Sequence, residues 1–166
     1  MKKFTVMSRK DASKYSFGSV DEKTIIVSIT DVNSRDNTFG KNPNIVGICR
    51  VKFDDVEIGE QNCIQQSDAR KIIDFMERHK DINNVIVHCE AGISRSAGAC
   101  AALMLIYTGS DMDIFTTARF SPNMTVYRTI LNEYHGINAG WSFPTDGEIT
   151  KREELNLHLW KIENGF

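Results

Sequence analysis

A chain of 166 residues is long enough to bury one substantial core, so disulfide or metal staples are not needed to explain its folding. With 41% hydrophobic and 25% charged residues it reads as an ordinary globular protein, which excludes low-complexity and fibrous classes. The formal net charge of −2 gives no global attraction to nucleic acid or to anionic membranes, so an anionic substrate would have to be held locally.

The basic start Met1-Lys2-Lys3 is followed by an apolar run, Phe4 to Ser8, too short for a signal peptide and broken by Arg9, Lys10 and Asp11. We read it as the start of the mature protein. Phe4 to Met7 and Thr24 to Ile29 are strand-like, and the polar segment from Arg9 to Tyr15 between them suits a short helix. Residues 31–44, rich in Asn, Asp, Ser, Gly and Pro, predict an exposed loop. Ile45 to Phe53 reads as a strand, followed by Asp54-Asp55 and an irregular stretch to Gln66.

A helix is expected from an N-cap at Ser67 to His79, with Ala69, Ile72, Ile73, Phe75 and Met76 at helical spacing. The wholly apolar Val85-Ile86-Val87 has the character of a central strand covered on both faces. Ser96 to Thr108 is apolar nearly all round, as a buried helix requires. The longest apolar stretch, Ala97 to Tyr107, is about half of what a bilayer crossing needs. Ser121-Pro122 predicts a new helix running towards Tyr134, and Thr150 to Ile162 another with Leu155, Leu159 and Ile162 on one side. Strands alternating with helices give an α/β class, a single domain over 1–166 with a central, mostly parallel sheet flanked by helices.

Four cysteines at 49, 63, 89 and 100 form no CxxC pair, and no histidines cluster at ligand spacing, so no metal or other cofactor is expected. Cys49, Cys63 and Cys100 read as small buried hydrophobes in a reducing, cytoplasmic setting.

The chemistry concentrates at His88-Cys89-Glu90-Ala91-Gly92-Ile93-Ser94-Arg95-Ser96, between the central strand and the buried helix. A loop entering a helix N-terminus aims backbone N–H groups and the positive end of the helix dipole at one spot, which suits a phosphate dianion. Gly92 allows the tight turn. Cys89 lies on the floor of this loop, where the same field stabilises a thiolate. Arg95 can return over the loop and grip two oxygens with its planar fork, as Lys could not. Ser96 can donate to the sulfur.

These residues resemble the protein tyrosine phosphatase signature, His-Cys, five residues, Arg, then Ser or Thr; the string HCEAGISRSAG looks most like the dual-specificity-type branch. The resemblance implies a phosphate-binding loop formed by Glu90, Ala91, Gly92, Ile93, Ser94 and Arg95, with a cysteinyl-phosphate intermediate on Cys89. It implies a supporting role for His88, with plain packing as the alternative. It also implies a general acid upstream: Asp55 is preferred over Asp54 on the pattern Phe53-Asp54-Asp55-Val56. Asn123, in the Ser121-Pro122-Asn123 segment, would brace the loop, against the simpler reading of a Ser-Pro helix start.

The substrate implied is a phosphorylated protein or peptide, phosphotyrosine or phosphoserine and phosphothreonine, with no nucleic acid and no membrane partner. The loop lacks the lysines that phosphoinositide-type relatives use. The alternatives are a catalytically silent phosphate-binding module of the same fold, or another cysteine-loop enzyme such as a rhodanese-related protein or an arsenate reductase. The Arg95-Ser96 pattern and the upstream acid speak against the last two.

Overall fold

A computed structural model describes residues 1–166. Its elements are β1 (Lys3–Met7), α1 (Arg9–Phe17), β2 (Thr24–Thr30), β3 (Ile45–Lys52), α2 (Gln66–Arg78), β4 (Asn84–His88), α3 (Arg95–Thr108), α4 (Met112–Phe115), α5 (Met124–Ile137) and α6 (Asp146–Glu163). The four strands make one sheet in the order β1-β4-β2-β3, and every neighbouring pair is parallel. This is the expected α/β architecture. Every residue of β2 and of β4 is buried, as their apolar character requires for strands covered on both faces.

Side chains alternate across a strand, so odd and even positions of β2 and β4 serve different layers. Ile25, Val27, Ile29, Val85 and Val87 join the main core with α2, α3 and α5. On the opposite face Ile26 and Ile86 pack under Ala12 of α1 in a small second cluster. The remaining even positions on that face are polar and pair across the strands. Asn84 Nδ2 donates to Thr24 Oγ1 at 2.8 Å, and Ser28 and His88 face each other at the end from which the Cys89–Ser94 loop leaves.

Three helix starts differ from expectation. Helix α6 begins at Asp146 rather than Thr150, with Thr145 as its cap. Helix α2 begins before Ser67, with Gln65 as its cap, because Asp68 accepts from the Gln65 amide at 2.9 Å. Helix α5 begins at Met124 rather than at Ser121-Pro122. Its cap is Asn123, whose side chain accepts from Val126 N at 3.0 Å, leaving Ser121 and Pro122 in an extended approach. The short α4 was not foreseen; four residues carry no periodic signal. Cys49 and Cys100 are buried as expected, but Cys63 is only half-buried.

Helix α6 is present, yet Leu155 and Ile162 are exposed and Leu159 only half-buried. Its inward face carries the fully buried Ile149 and, beside it, polar anchors. Asn156 donates to the carbonyls of Thr117 and Phe120 at 3.1 and 2.9 Å, and Arg152 meets the fully buried Asp111 at 2.9 Å. Tyr127 of α5 donates to the same carboxylate at 2.5 Å. A buried carboxylate left without its cation is strongly unfavourable. Arg152→Ala should therefore destabilise the protein by about 3 kcal/mol in denaturant unfolding. Leu157→Ala, at an exposed position of the same helix, should change it by no more than about 0.5 kcal/mol.

Candidate active site

The loop from Cys89 to Ser94 leaves β4 at the centre of the sheet and enters α3 at Arg95. In a planar trans peptide the carbonyl of one residue and the N–H of the next point in opposite directions. Four loop carbonyls are held from outside. Cys89 O accepts from His88 Nδ1 at 3.0 Å, Glu90 O from Arg9 N at 3.0 Å, Ile93 O from Ser121 N at 3.1 Å, and Ser94 O from Asn123 N at 3.0 Å. The amides of Glu90, Ala91, Ser94 and Arg95 are thereby turned away from those donors. No protein acceptor takes any amide from Glu90 to Ser94. A set of orphan donors at a helix N-terminus is an anion site.

Gly92 adopts φ +70°, and a Cβ there would stand 2.6 Å from the Met7 carbonyl carbon and the Ser8 nitrogen at the end of β1. Only glycine fits. Gly98, one turn into α3, likewise lets the helix lie directly on the Asn123 carbonyl.

Cys89 is 2% exposed, and its Sγ lies 3.0 Å from Ser96 Oγ. Burial pushes the other two enclosed thiols up, Cys49 to about 11 and Cys100 to about 12, which leaves both inert at neutral pH. The Arg95 side chain is 6% exposed. Its Nη1 donates to Asp31 Oδ1 at 2.6 Å and to Phe53 O at 2.8 Å, while Nε is buried without a partner.

The two candidate acids occupy different settings. Asp54 Oδ1 accepts from Val32 N at 3.0 Å and Oδ2 from Asn62 Nδ2 at 3.1 Å; these bonds, the Val32 amide first, hold its carboxyl below the usual range. Asp55 is exposed and leans over the phosphate loop. Its Oδ1 accepts from Ser94 Oγ at 2.8 Å and from Asn123 Nδ2 at 2.9 Å, and its Oδ2 takes no hydrogen bond. Asn123 thus touches the Asp55-Val56 segment, the Cys89–Ser94 loop and the start of α5 together.

Of the remaining loop residues, Ala91 and Ile93 are exposed. Glu90 is exposed as well, with its carboxylate 3.7 Å from Arg9 Nη1. A groove of about 680 Å³ opens beside Asp55 and Ser94, walled by Glu57, Glu60, Arg128 and Glu153; Cys89 lies outside it.

His88 is fully buried. With Nδ1–H donating to the Cys89 carbonyl, Nε2 is left to accept from Ser28 Oγ at 2.6 Å and from Asn37 Nδ2 at 3.4 Å. Asn37 belongs to the 31–44 segment, expected to be exposed. That segment is a loop, but Asn37 is buried and the chain is stitched to the sheet. Arg9, Arg50 and Lys52 donate to the carbonyls of Arg35, Asn37 and Ser34 at 2.7, 2.9 and 2.7 Å. Asp31, Asn37 and Ser28 were not singled out from the sequence. Each acts through a contact far along the chain, for which no local pattern exists.

This part of the chain is similar to known proteins. Residues 60–127 match the protein-tyrosine phosphatase family model. That match covers less than half of the chain. The matched segment holds the phosphate loop, α3 and Asn123, while Asp54 and Asp55 precede it. No curated protein matches the chain significantly.

Solved structures share the fold at low identity. Human tyrosine phosphatase-like serine/threonine/tyrosine-interacting protein is 18% identical with a TM-score of 0.58, covering 82% of this chain and 93% of its own. A mouse candidate dual specificity phosphatase, solved with zinc tungstate, is 17% identical with a TM-score of 0.57, over 82% and 85%. Human DUSP28 is 15% identical with a TM-score of 0.56, over 83% and 95%. These likenesses place the sheet and its helices in the phosphatase fold.

Burial is the main reason the His88 imidazole resists protonation, and Arg9, Arg50 and Arg95 add repulsion, so its pKa lies below the ordinary 6.5. The unfolded chain therefore binds this proton first as pH falls. The stabilising effect of a neutral His88 is complete above about pH 6.5 and is lost as pH drops below it. Stability to denaturant should fall as pH drops below about 6.5, and His88→Gln should reduce that slope.

Proposed function

We propose that this protein is a phosphatase that hydrolyses phosphomonoesters on proteins or peptides through a cysteinyl-phosphate intermediate, without a metal or other cofactor. The observation that carries the reading is the buried Cys89 sulfur beneath orphan amides, beside a buried Arg95 whose Nε edge has no partner.

The phosphoryl oxygens sit among the loop amides and on the Nε and Nη2 edge of Arg95. The Cys89 thiolate attacks phosphorus, the S–P bond forms as the ester P–O bond breaks, and the proton of the Asp55 carboxyl passes to the leaving oxygen. Water then attacks the phosphocysteine and gives a proton back to Asp55. Phosphate leaves, and the Ser96 hydroxyl stabilises the returning thiolate. Oδ2 of Asp55 is the oxygen that carries the proton, because Oδ1 is occupied by Ser94 and Asn123. Asp54, with both oxygens bonded and its acidity increased, holds the loop instead.

Two features favour a peptide over a multiply phosphorylated lipid. Glu90 puts a negative charge at the exposed rim, and the polar groove beside Asp55 has room for flanking chain. Phosphotyrosine and phosphoserine or phosphothreonine are both admitted by this reading. No helix is long and apolar enough to cross a membrane, and all four cysteines are free, which supports a reducing compartment.

Release of phosphate from an aryl phosphate, and from peptides carrying each phospho-residue, tests the proposal. Cys89→Ser should abolish turnover while still binding inorganic phosphate; turnover in that variant would remove the covalent mechanism, and none in the wild type would leave a silent binding module. Asp55→Asn should slow phosphopeptide hydrolysis by roughly 10²–10⁴-fold and an activated aryl phosphate less. Asp54→Asn should act mainly on stability, and the reverse pattern would move the acid to Asp54.

A further inference from the structure

A guanidinium offers five N–H donors in a plane, and which edge faces a ligand depends on what holds the others. Arg95 reaches the site from the first residue of α3, with its side chain almost wholly enclosed. Both N–H bonds of Nη1 are used, one by Asp31 Oδ1 at 2.6 Å and one by the Phe53 carbonyl at 2.8 Å. The opposite edge, Nε with Nη2, makes no hydrogen bond within the protein, and Nε is buried. Two parallel donors on one edge are the geometry that matches two oxygens of one phosphoryl group.

We propose that Asp31 is a positioning residue for Arg95: by holding Nη1 from behind, it fixes the guanidinium plane so that the Nε and Nη2 edge is presented to substrate before substrate arrives. The inference rests on the phosphatase reading for its catalytic consequence, but not for its effect on oxyanion binding. Asp31 follows directly on β2, so the sheet anchors its backbone, and the side chain is 44% exposed. Phe53 follows β3 and donates its own amide to Thr30 O at 3.1 Å, which ties the second acceptor to the same end of the sheet. The guanidinium is thus gripped by the C-terminal ends of two adjacent strands. Without the carboxylate, Nη1 keeps only one acceptor, and the fork can rotate about its remaining bond. A partly free side chain must then be ordered when the phosphoryl group binds, which weakens binding and misplaces the donors in the transition state.

The test compares inorganic phosphate affinity by calorimetry, and kcat and KM for an aryl phosphate, across wild type, Asp31→Ala, Asp31→Asn, Arg95→Ala and the Asp31→Ala/Arg95→Ala double variant of the full chain. Asp31→Ala should weaken phosphate binding by roughly tenfold and lower kcat/KM by roughly 10²-fold. Asp31→Asn keeps an oxygen that accepts from Nη1 and should recover most of the affinity. In the Arg95→Ala background the Asp31 substitution should change phosphate affinity by less than about twofold, because a residue that acts through Arg95 has nothing left to act on.

Unchanged or tighter phosphate binding in Asp31→Ala would overturn the proposal, the latter by showing that Asp31 restrains Arg95 from its ligand. An equal loss in the Arg95→Ala background would also overturn it, by reducing Asp31 to general support of the fold. If the wild type binds phosphate but does not turn over, the phosphatase reading fails. The affinity series still decides the role of Asp31.

Discussion

The structure is organised around a loop whose amides must stay without protein acceptors. Such donors would ordinarily be satisfied by local turns, and an unsupported loop of six residues would collapse onto them. Here the carbonyls are held instead. His88, Arg9, Ser121 and Asn123 each donate to one, and peptide planarity turns the following N–H groups the other way. Those four donors come from β4, from the start of α1 and from the approach to α5, so the loop is shaped by three separate parts of the chain.

The same economy of parts extends to the acid loop. Asn123 caps α5 through its side-chain oxygen, donates its backbone amide to Ser94 O, and donates its side-chain nitrogen to Asp55 and to the Val56 carbonyl at 3.1 Å. Gly98 allows α3 to come close enough for this arrangement. A movement of Asp55 away from the loop would release one hold on the Asn123 side chain, whose oxygen caps α5. The position of Asp55 is consequently linked to the packing of two helices rather than to its own loop alone.

What could be read in the sequence divides along a physical line. Cys89, Gly92, Arg95 and Ser96 fall within one short stretch, and the chemistry of a strand, loop and helix junction is written in near neighbours, so loop and sheet class were both legible. Asp55 could be preferred over Asp54 by pattern, but the physical contrast between them depends on Val32, Asn62, Ser94 and Asn123, none of which is a close sequence neighbour. Asp31 is 64 positions from Arg95, Asn37 is 51 from His88, and Asp111 is 41 from Arg152. No periodicity connects such pairs. The error on α6 has the same origin: its inward face is set by Asp111 and by carbonyls of the preceding segment, so hydrophobic spacing pointed to the wrong side.

The placement of β1 has a consequence for the order in which the molecule can be built. The first strand pairs with β4, residue Met7 beside His88, about eighty positions later in the chain. Contacts of such long range form late, because the intervening chain must be brought together first. Gly92 rests on Met7 and Ser8, and the Arg9 amide holds the Glu90 carbonyl. Strand β1 therefore waits on a ribosome until β4 has been synthesised, and the Cys89–Ser94 loop takes its final shape only when the two meet. A nascent chain that has made the whole Cys89–Ser94 loop still lacks its final shape until β1 returns to it.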